Sequence, residues 1–407
     1  MTVDYDPFSD EAMRDPTDLY RRMRAEGGPH YIEKYNAWAL TRFDDVWKAS
    51  ITYEKALDYS HGQTPGQLLL GEPAPPTFMT MNVPVHRKWR ELLRNDYSIE
   101  GVEAQLNRLR ALVRETLEPL LERGEMDVYT DFAKRVLCIN AGYNLGLPRD
   151  DAEKFRALID DMLHRERGQV GMVSALNQAA AGQLFGYLTE YVAMARSNPA
   201  IAERHLRLFL EAEVEGRKLG DDEVAAYLFS LLVTGSETTP MTLAGTVYYL
   251  AKHPEQMRAV LSDRSLIKQA FLETARFDQP TNMLARRARQ DFELSGRKIM
   301  AGQNLLFIYA SANRDGEVFE RPDEFDIFRK AQRNLVFGAG GHYCLGANLA
   351  VLIGMMMLQE LFDAIEDSEL IDEGCVRAYG EHLSGFLHVP IRFQRRASRI
   401  SEPGERP

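Results

Sequence analysis

One cysteine in a glycine-rich loop is the residue of this sequence best placed to do chemistry. The segment FGAGGHYCLGANLA runs from Phe337 to Ala350, with three glycines before Cys344 and Gly346 after it. Glycine permits positive φ and a close approach of the backbone to a flat ligand. A Leu-, Met- and Ala-rich stretch follows, so we expect Cys344 at or just before a helix N-terminus. The unpaired N–H groups there favour a thiolate, the form of cysteine that binds iron.

The whole segment resembles the haem-binding signature of the cytochrome P-450 family, Phe-x-x-Gly-x-x-x-Cys-x-Gly, including a basic residue, His342, two positions before the cysteine. The resemblance implies a haem-thiolate enzyme with haem b (iron protoporphyrin IX) as cofactor and Cys344 as the iron ligand. Phe337, Gly338 and Gly346 are then expected to contact the cofactor. A glycine-rich turn around a buried free cysteine is the alternative interpretation.

A polar segment interrupts the longest apolar helix that the pattern predicts. Residues Asp221–Leu250 would span about 40 Å as one helix, and TGSETT lies near its middle. This segment is similar to the family's oxygen-activation motif. The similarity implies that Gly235 leaves room for dioxygen, and that Glu237 and Thr238 are the catalytic acid–alcohol pair that holds and relays protons. A helix that leaves its polar face to solvent is the alternative.

Two residues of the same helix depart from a simple pattern. Thr234 stands where the family usually has Ala or Gly, and its hydroxyl is expected to reach the substrate pocket. Pro240 removes the N–H that would bond the carbonyl of Ser236, so we expect the helix to kink or open there. A tolerated kink without function is an equal alternative.

The resemblance extends to basic residues and to a structural ion-pair trio. His86 and Arg90 match the family's His-x-x-x-Arg, and Arg286 matches its Arg-x-Ala-x-x-Asp. With His342, they are expected to bind the haem propionates. The trio consists of Glu273, Arg276 and Arg329. It is expected to hold the cysteine loop in place as a buried charge cluster.

The pocket walls and the partners follow from matching positions in the family. The mostly apolar walls favour a small to medium organic substrate held by burial; the candidate residues are Met79, Leu231, Thr234, Met283, Leu284 and Phe386. His164, Arg165 and Arg167 would favour an acidic substrate, or simply belong to a surface helix. The resemblance also implies electrons from a ferredoxin and a ferredoxin reductase. The residues that would form a basic docking patch, or else a scatter of solvated charges, are Arg87, Lys88, Arg94 and Arg333.

Helical periodicity dominates the rest of the chain. Amphipathic patterns near Val102–Leu121, Asp151–Leu163 and Gln183–Met194 predict helices; the few strand-like runs are Ala37–Thr41, Phe292–Leu294, Asn304–Ile308 and Val389–Phe393. We therefore expect a mainly α fold with a small β region, the cytochrome P-450 fold, as a single catalytic domain over residues 1–394. The haem is expected between the long central helix and the cysteine loop. Residues 395–407 are polar and aperiodic, and predict a disordered tail.

Composition excludes several classes of protein. The 49 basic and 60 acidic residues give a formal charge of −11, which disfavours nucleic-acid binding and attraction to anionic lipid. The longest apolar run, Leu349–Leu358, is too short for a membrane span, and the N-terminus shows no signal peptide. Three widely spaced cysteines favour a reducing, cytoplasmic location.

The resulting prediction is a monooxygenase that inserts one atom of dioxygen into a C–H bond or a double bond. Three alternatives stay open: a peroxygenase or oxidative-coupling enzyme of the same fold, a haem carrier or sensor without enzymatic activity, and a helical protein without cofactor. The acid–alcohol pair Glu237–Thr238 argues against the use of peroxide.

Overall fold

The computed structural model describes residues 3–74, 76–330 and 333–397. The α-helices are α1 (Asp10–Arg14), α2 (Thr17–Glu26), α3 (Phe43–Ile51), α4 (Val85–Glu91), α5 (Ile99–Glu103), α6 (Leu106–Arg123), α7 (Lys134–Leu145), α8 (Ala152–Leu163), α9 (Ala175–Ser197), α10 (Arg204–Glu211), α11 (Asp221–Lys252), α12 (Pro254–Ser262), α13 (Ile267–Phe277), α14 (Tyr309–Ala312) and α15 (Ala347–Ala364). The strands are β1 (His30–Ile32), β2 (Ala37–Leu40), β3 (Leu57–Asp58), β4 (Glu125–Asp127), β5 (Glu213–Val214), β6 (Arg217–Lys218), β7 (Met283–Ala288), β8 (Phe292–Leu294), β9 (Arg297–Ile299), β10 (Asn304–Ile308), β11 (Ile365–Leu370), β12 (Val376–Arg377), β13 (Phe386–His388) and β14 (Pro390–Arg395).

The strands form one five-stranded sheet and several small ones beside the helical body. The order in the large sheet is β1-β2-β10-β7-β3, and only β10 and β2 pair in parallel. Because side chains alternate along a strand, β7 sends Leu284 and Arg286 to one face of the sheet and Met283 and Ala285 to the other. Met283 and Ala285 pack against the N-terminal helices.

The long helix α11 runs unbroken over 32 residues through the centre of the fold. It packs against α7, α9 and α13, and most of its second half is buried. The expected opening at Pro240 is not seen, since the helix continues through this residue to Lys252. The fixed φ of proline is compatible with the α conformation, and the burial of residues 240–247 holds this part of the helix in place.

The other helices and strands that the sequence patterns predicted are present, with three differences. Helix α9 begins at Ala175, eight residues before the predicted Gln183. The pattern over Val102–Leu121 belongs to two helices, α5 and α6, which are separated by a break of only two residues. Strand β14 extends to Arg395, the first residue of the predicted tail, because Arg395 pairs with Ile365 of β11. The part of the tail from 398 to 407 lies outside the described residues.

Helix α15 is the apolar helix that follows the cysteine loop. Among the residues that the structure describes, it is the one helix with the length and hydropathy of a membrane span. It packs against α6 and α13 instead. The contact with α13 is close, since a Cβ on Gly354 would lie 2.5 Å from the ring of Phe271.

Candidate active site

Glycine and backbone hydrogen bonds shape the loop that carries Cys344. The Cys344 N–H donates to the Phe337 carbonyl (2.9 Å), and the Gly338 N–H donates to the Leu335 carbonyl (3.0 Å). Gly340 has φ near +75°, and a Cβ there would lie 2.2 Å from the carbonyl oxygen of Ser50. A side chain at this position would therefore both strain the loop and collide with α3.

Cys344 is an accessible residue whose thiol is nonetheless closely surrounded by protein, so it faces an internal space. A Cβ on Gly346 would meet no atom within 4 Å, which leaves the same space open. Burial raises the pKa of the Cys344 thiol, although the Gly346 N–H and Arg90 act in the opposite direction.

The middle of α11 opens onto space at the TGSETT segment. Thr234 and Gly235 are exposed and Thr238 is half-buried, whereas Ser236 and Glu237 are buried. The Thr234 hydroxyl donates to the carbonyl of Ser230 at 2.8 Å, so its proton is engaged within the helix. A Cβ on Gly235 would only touch Ala141 at 3.5 Å. This face of α11 therefore has room for a ligand.

Glu237 points into a buried polar cluster that sequence reasoning missed. Its Oε1 lies 2.6 Å from Nζ of Lys134, and its Oε2 accepts a hydrogen bond from the Tyr129 hydroxyl at 3.0 Å. Lys134 is itself only 1% exposed and also pairs with Asp160 of α8, whose side chain is 42% exposed. One chain of charges thus leads from α11 to the surface. One feature of the sequence could have indicated this cluster: Lys134 lies one helical turn before Leu137 and Cys138, so a charged residue stands on an apolar helix face.

The protonation of this cluster depends on burial and on two carboxylates that share one ammonium group. Burial raises the pKa of Glu237, and Lys134 offsets only part of that effect. Burial opposes a charged Lys134, but Glu237 and Asp160 outweigh it and raise the pKa of the lysine. Burial therefore favours the protonated form of Glu237 more than it would for an exposed glutamate.

Three of the four predicted propionate ligands come together around Tyr59. The His342 ring is stacked between the rings of Tyr59 and His86, with both centroid distances at 3.8 Å. The Arg286 guanidinium lies 4.6 Å from the centroid of Tyr59. Arg90, the fourth, lies near Cys344 and interacts with it electrostatically. Tyr59 was not identified from the sequence.

This group of residues fits an anionic cofactor edge. His86 Nδ1 and His342 Nε2 are buried without a hydrogen-bond partner in the described part of the chain. Burial first, and then the neighbouring cations, lower the pKa of His86 to about 4 and that of His342 to about 2. An anion placed here would satisfy the unpartnered nitrogens and oppose that repulsion. The cluster and the accessible thiol therefore fit haem b.

The predicted ion-pair trio is assembled and buried. Arg276 donates from Nη2 and Nε to the two Glu273 oxygens at 2.7 and 2.8 Å, and Arg329 Nε donates to Glu273 Oε1 at 3.1 Å. Arg276 and Arg329 also donate to backbone carbonyls of the 313–324 segment. The trio therefore fixes the chain that leads into the cysteine loop.

The predicted pocket residues divide into two groups. Leu231, Met79 and Leu284 are partly buried at the edges of the apolar core clusters. Met283 is fully buried against the N-terminal layer, where its sulfur contacts the Tyr5 hydroxyl. Phe386 is buried against Tyr248, with a centroid distance of 4.2 Å. The assignment of Met283 and Phe386 to the pocket is therefore corrected, because both are packed core residues.

The arginines of the segment after α8 are paired with carboxylates of the protein. Arg165 is buried and donates to Glu381 at 2.8 and 3.1 Å, while Arg167 pairs with Asp10 at 2.8 Å. These residues lie in a loop rather than in the expected surface helix. Both guanidinium groups are thus offset by a carboxylate of the protein, although Arg165 Nη1 is buried without a hydrogen-bond partner in the described residues.

Comparisons with known proteins agree with this geometry. The family model described as Cytochrome P450 matches residues 173–364. The putative cytochrome P450 123 of Mycobacterium tuberculosis is 33% identical over 399 residues, covering 96% of this chain and 97% of that protein. The vitamin D(3) 25-hydroxylase of Pseudonocardia autotrophica is 30% identical over 370 residues, covering 89% of each chain.

Solved structures show the same architecture. Cytochrome P450 CYP109Q5 from Chondromyces apiculatus superposes with a TM-score of 0.84 at 25% identity, covering 98% of this chain and all of that one. CYP108D1 from Novosphingobium aromaticivorans gives 0.83 at 27% identity, covering 97% and 98%. The predicted fold is confirmed. The chain belongs to the cytochrome P450 family, and is accordingly an oxidoreductase of the monooxygenase type that binds haem b.

Proposed function

We propose that this enzyme inserts one oxygen atom from dioxygen into a small to medium, mostly apolar and uncharged organic substrate, by hydroxylation or epoxidation. The observation that carries the proposal is the accessible Cys344 thiol, which faces an internal space at the start of α15. Because this sulfur is accessible but lies within the fold, it is suited to bind a metal there.

Four basic residues and the cysteine would hold the cofactor. Cys344 would bind the iron, and the propionates would be met by His86, Arg90, Arg286 and His342. Phe337 would contact the ring, and the missing side chains of Gly338, Gly346 and Gly235 would leave room for the ring and its ligand. When bound, the haem supplies the activation of dioxygen, and a thiolate ligand favours cleavage of the O–O bond.

Glu237 and Thr238 are proposed as the residues that deliver protons. Thr238 Oγ1 forms no hydrogen bond within the described residues, so it is free to hold a water or an oxygen. The raised pKa of Glu237 brings it closer to the working pH, where a carboxyl group both takes up and releases protons. Lys134 and Asp160 would connect Glu237 to solvent.

The substrate class follows from the residues that remain in the pocket. Met79, Leu231 and Leu284 offer apolar surface, and Thr234 offers a hydroxyl oxygen as an acceptor. The ion pairs of Arg165 and Arg167 argue against an acidic substrate. Burial of apolar area would then provide most of the binding energy.

The electron donor is proposed to be a small acidic ferredoxin with its reductase, and the location the cytoplasm. Three free cysteines are compatible with a reducing compartment.

A ligand screen on the haem-loaded enzyme tests this function most directly. Neutral apolar compounds are expected to shift the haem spin state, and a ligand that does so should yield a product larger by one oxygen atom in the presence of dioxygen and electrons. Carboxylate analogues of the same size should bind more weakly. Turnover with hydrogen peroxide alone that is unaffected by Thr238→Ala would instead support a peroxygenase.

A further inference from the structure

Glu54 is a mostly buried glutamate that the proposed haem site does not include. It lies in the short segment between α3 and β3, and its side chain is only 12% exposed. Its Oε1 accepts a hydrogen bond from the Gly341 N–H of the cysteine loop at 2.7 Å, and its Oε2 lies 3.3 Å from Nη2 of Arg87 on α4. One carboxylate thus connects three segments of the chain.

Each of these three segments also carries one of the three stacked rings near the cysteine. Arg87 directly follows His86 on α4. Gly341 directly precedes His342 in the cysteine loop, and Tyr59 directly follows β3. The His342 ring lies 3.8 Å from each of the other two rings. The carboxylate therefore contacts the sequence neighbours of two residues in the stack.

The hydrogen bond from Gly341 is the stronger of the two contacts. The Arg87 side chain is 67% exposed, and an ion pair with a partner that is so exposed contributes little. The Gly341 N–H donates to a charged oxygen that is mostly shielded from water, and such charge-assisted hydrogen bonds are short and strong. We therefore expect Glu54 to act mainly on the cysteine loop.

The chain at Gly341 leaves just enough space for this carboxylate. A Cβ on Gly341 would lie 1.9 Å from Oε1 of Glu54. Unlike Gly340, Gly341 does not have a positive φ, so its backbone would accept another residue without strain. Because the carboxylate is the far end of a flexible side chain, alanine at this position would displace Glu54 rather than the backbone.

The charge of Glu54 acts on the stack as well. Burial raises the pKa of the Tyr59 hydroxyl, and Glu54 adds to this increase while Arg286 opposes it. A carboxylate at this place would repel the haem propionates rather than bind them. The role that fits Glu54 is therefore to hold the residues that bind the propionates.

We propose that Glu54 is a positioning residue for the haem propionates, and that it holds His342 and His86 in the stacked arrangement through Gly341 and Arg87. This inference rests on the proposed function, which assigns the two histidines to the propionates.

Transfer of haem to an excess of apomyoglobin tests this role. Haem-loaded Glu54→Ala is expected to lose haem about tenfold faster than the wild type, as is usual when a partner behind a cofactor ligand is removed. Glu91→Ala is the matched control, because it removes the same charge from an exposed ion pair with Arg94 on α4. The control should change the rate less than about twofold.

Two further measurements distinguish positioning from a general loss of stability. Glu54→Gln keeps an acceptor oxygen for the Gly341 N–H, so it should recover most of the haem retention that Glu54→Ala loses. The propionate bending bands in the resonance Raman spectrum report on hydrogen bonding to the propionates. They should shift in Glu54→Ala and stay unchanged in Glu91→Ala.

A double-mutant cycle with Gly341→Ala tests whether the two residues act together. Gly341→Ala alone displaces the carboxylate and should speed haem loss by a factor similar to that of Glu54→Ala. In the Glu54→Ala background there is no carboxylate to displace, so Gly341→Ala should add less than about a twofold effect. Multiplicative effects would overturn the role. If Glu54→Ala takes up no haem, Gly341→Ala compared with Glu91→Ala gives the same test.

Reduction by dithionite under carbon monoxide separates this inference from the proposed function. Absence of the red-shifted band in the wild type overturns the proposed function. With a normal band in the wild type, three results each overturn the role of Glu54 alone. They are equal rates of haem loss in Glu54→Ala and Glu91→Ala, no recovery in Glu54→Gln, and unchanged propionate bands in Glu54→Ala.

Discussion

At the residue scale, Lys134 shows how a buried charge network can serve proton transfer. The lysine is enclosed between Glu237 of the central helix and Asp160 near the surface. The Lys134 ammonium group provides a positive charge next to Glu237, while burial favours the protonated form of that carboxyl group. Such a network is costly to bury, and its members depend on one another.

We therefore expect Lys134→Met to uncouple oxygen consumption from product formation several-fold. Without the ammonium group, Glu237 loses its partner and its pKa rises further, so it holds its proton instead of passing it on. Lys134→Arg, which keeps the charge, serves as the control. Product formed per NAD(P)H consumed is the measurement, and equal coupling in Lys134→Met and wild type would remove Lys134 from the path.

Thr238→Ala is expected to retain haem and substrate binding while diverting electrons to peroxide. The loss of its hydroxyl leaves nothing at that position to hold a proton donor next to the open face of α11. Thr239→Ala is the matched control and should stay close to wild type. Peroxide release in a ligand-saturated reaction measures the effect, and unchanged peroxide would exclude the proton role of Thr238.

His382 provides a pH-dependent contribution to stability. Burial lowers its pKa to about 4, with a smaller opposing effect from the hydrogen bond to the Met283 carbonyl. The unfolded chain binds the proton near the ordinary pKa of about 6.5. Stability is therefore full above that pH and is lost as the pH falls towards 4, by about 3 kcal/mol for this residue.

His382→Gln should consequently lose less stability than wild type between pH 7 and pH 5. Urea unfolding of both proteins at the two pH values gives the change in the free energy of unfolding for each. The contributions of the other histidines cancel when the two changes are compared. An identical loss in both proteins would show that His382 does not titrate as its burial implies.

At the element scale, the trio of Glu273, Arg276 and Arg329 links α13 to the segment that enters the cysteine loop. Glu273→Ala leaves two buried guanidinium groups unpaired, which costs about 3–5 kcal/mol. Glu324→Ala breaks only the exposed pair with Arg321 and should cost less than about 1 kcal/mol. Denaturant unfolding of both variants measures these losses. Equal losses of the free energy of unfolding in Glu273→Ala and Glu324→Ala would contradict a structural role for the trio.

Elements with a strong local signal were predictable from the sequence. Strands β8 and β10 coincide with the predicted bounds, and α11 was recognised because its apolar length is unusual. The course of α11 at Pro240 was not predictable, because it depends on the tertiary packing of the buried residues 240–247. The extension of β14 depends on a partner strand that is close only in the folded chain.

At the scale of the whole molecule, pairing between distant segments limited what the sequence could reveal about the site. The glycines around Cys344 and the spacing of Glu273 and Arg276 are local, so they could be identified. The partners of Lys88, Arg165 and Glu237 come from other elements, so these ion pairs could not be predicted. Met283 and Phe386 were misplaced for the same reason.

Cys344 is the proposed iron ligand, and one spectrum tests this assignment. The haem-loaded wild type, reduced and exposed to carbon monoxide, is expected to show the red-shifted absorbance band of a thiolate-bound haem. Cys344→Ser should abolish that band, while Cys375→Ser, which removes a thiol outside the site, should keep it. An unchanged band in Cys344→Ser would exclude Cys344 as the iron ligand.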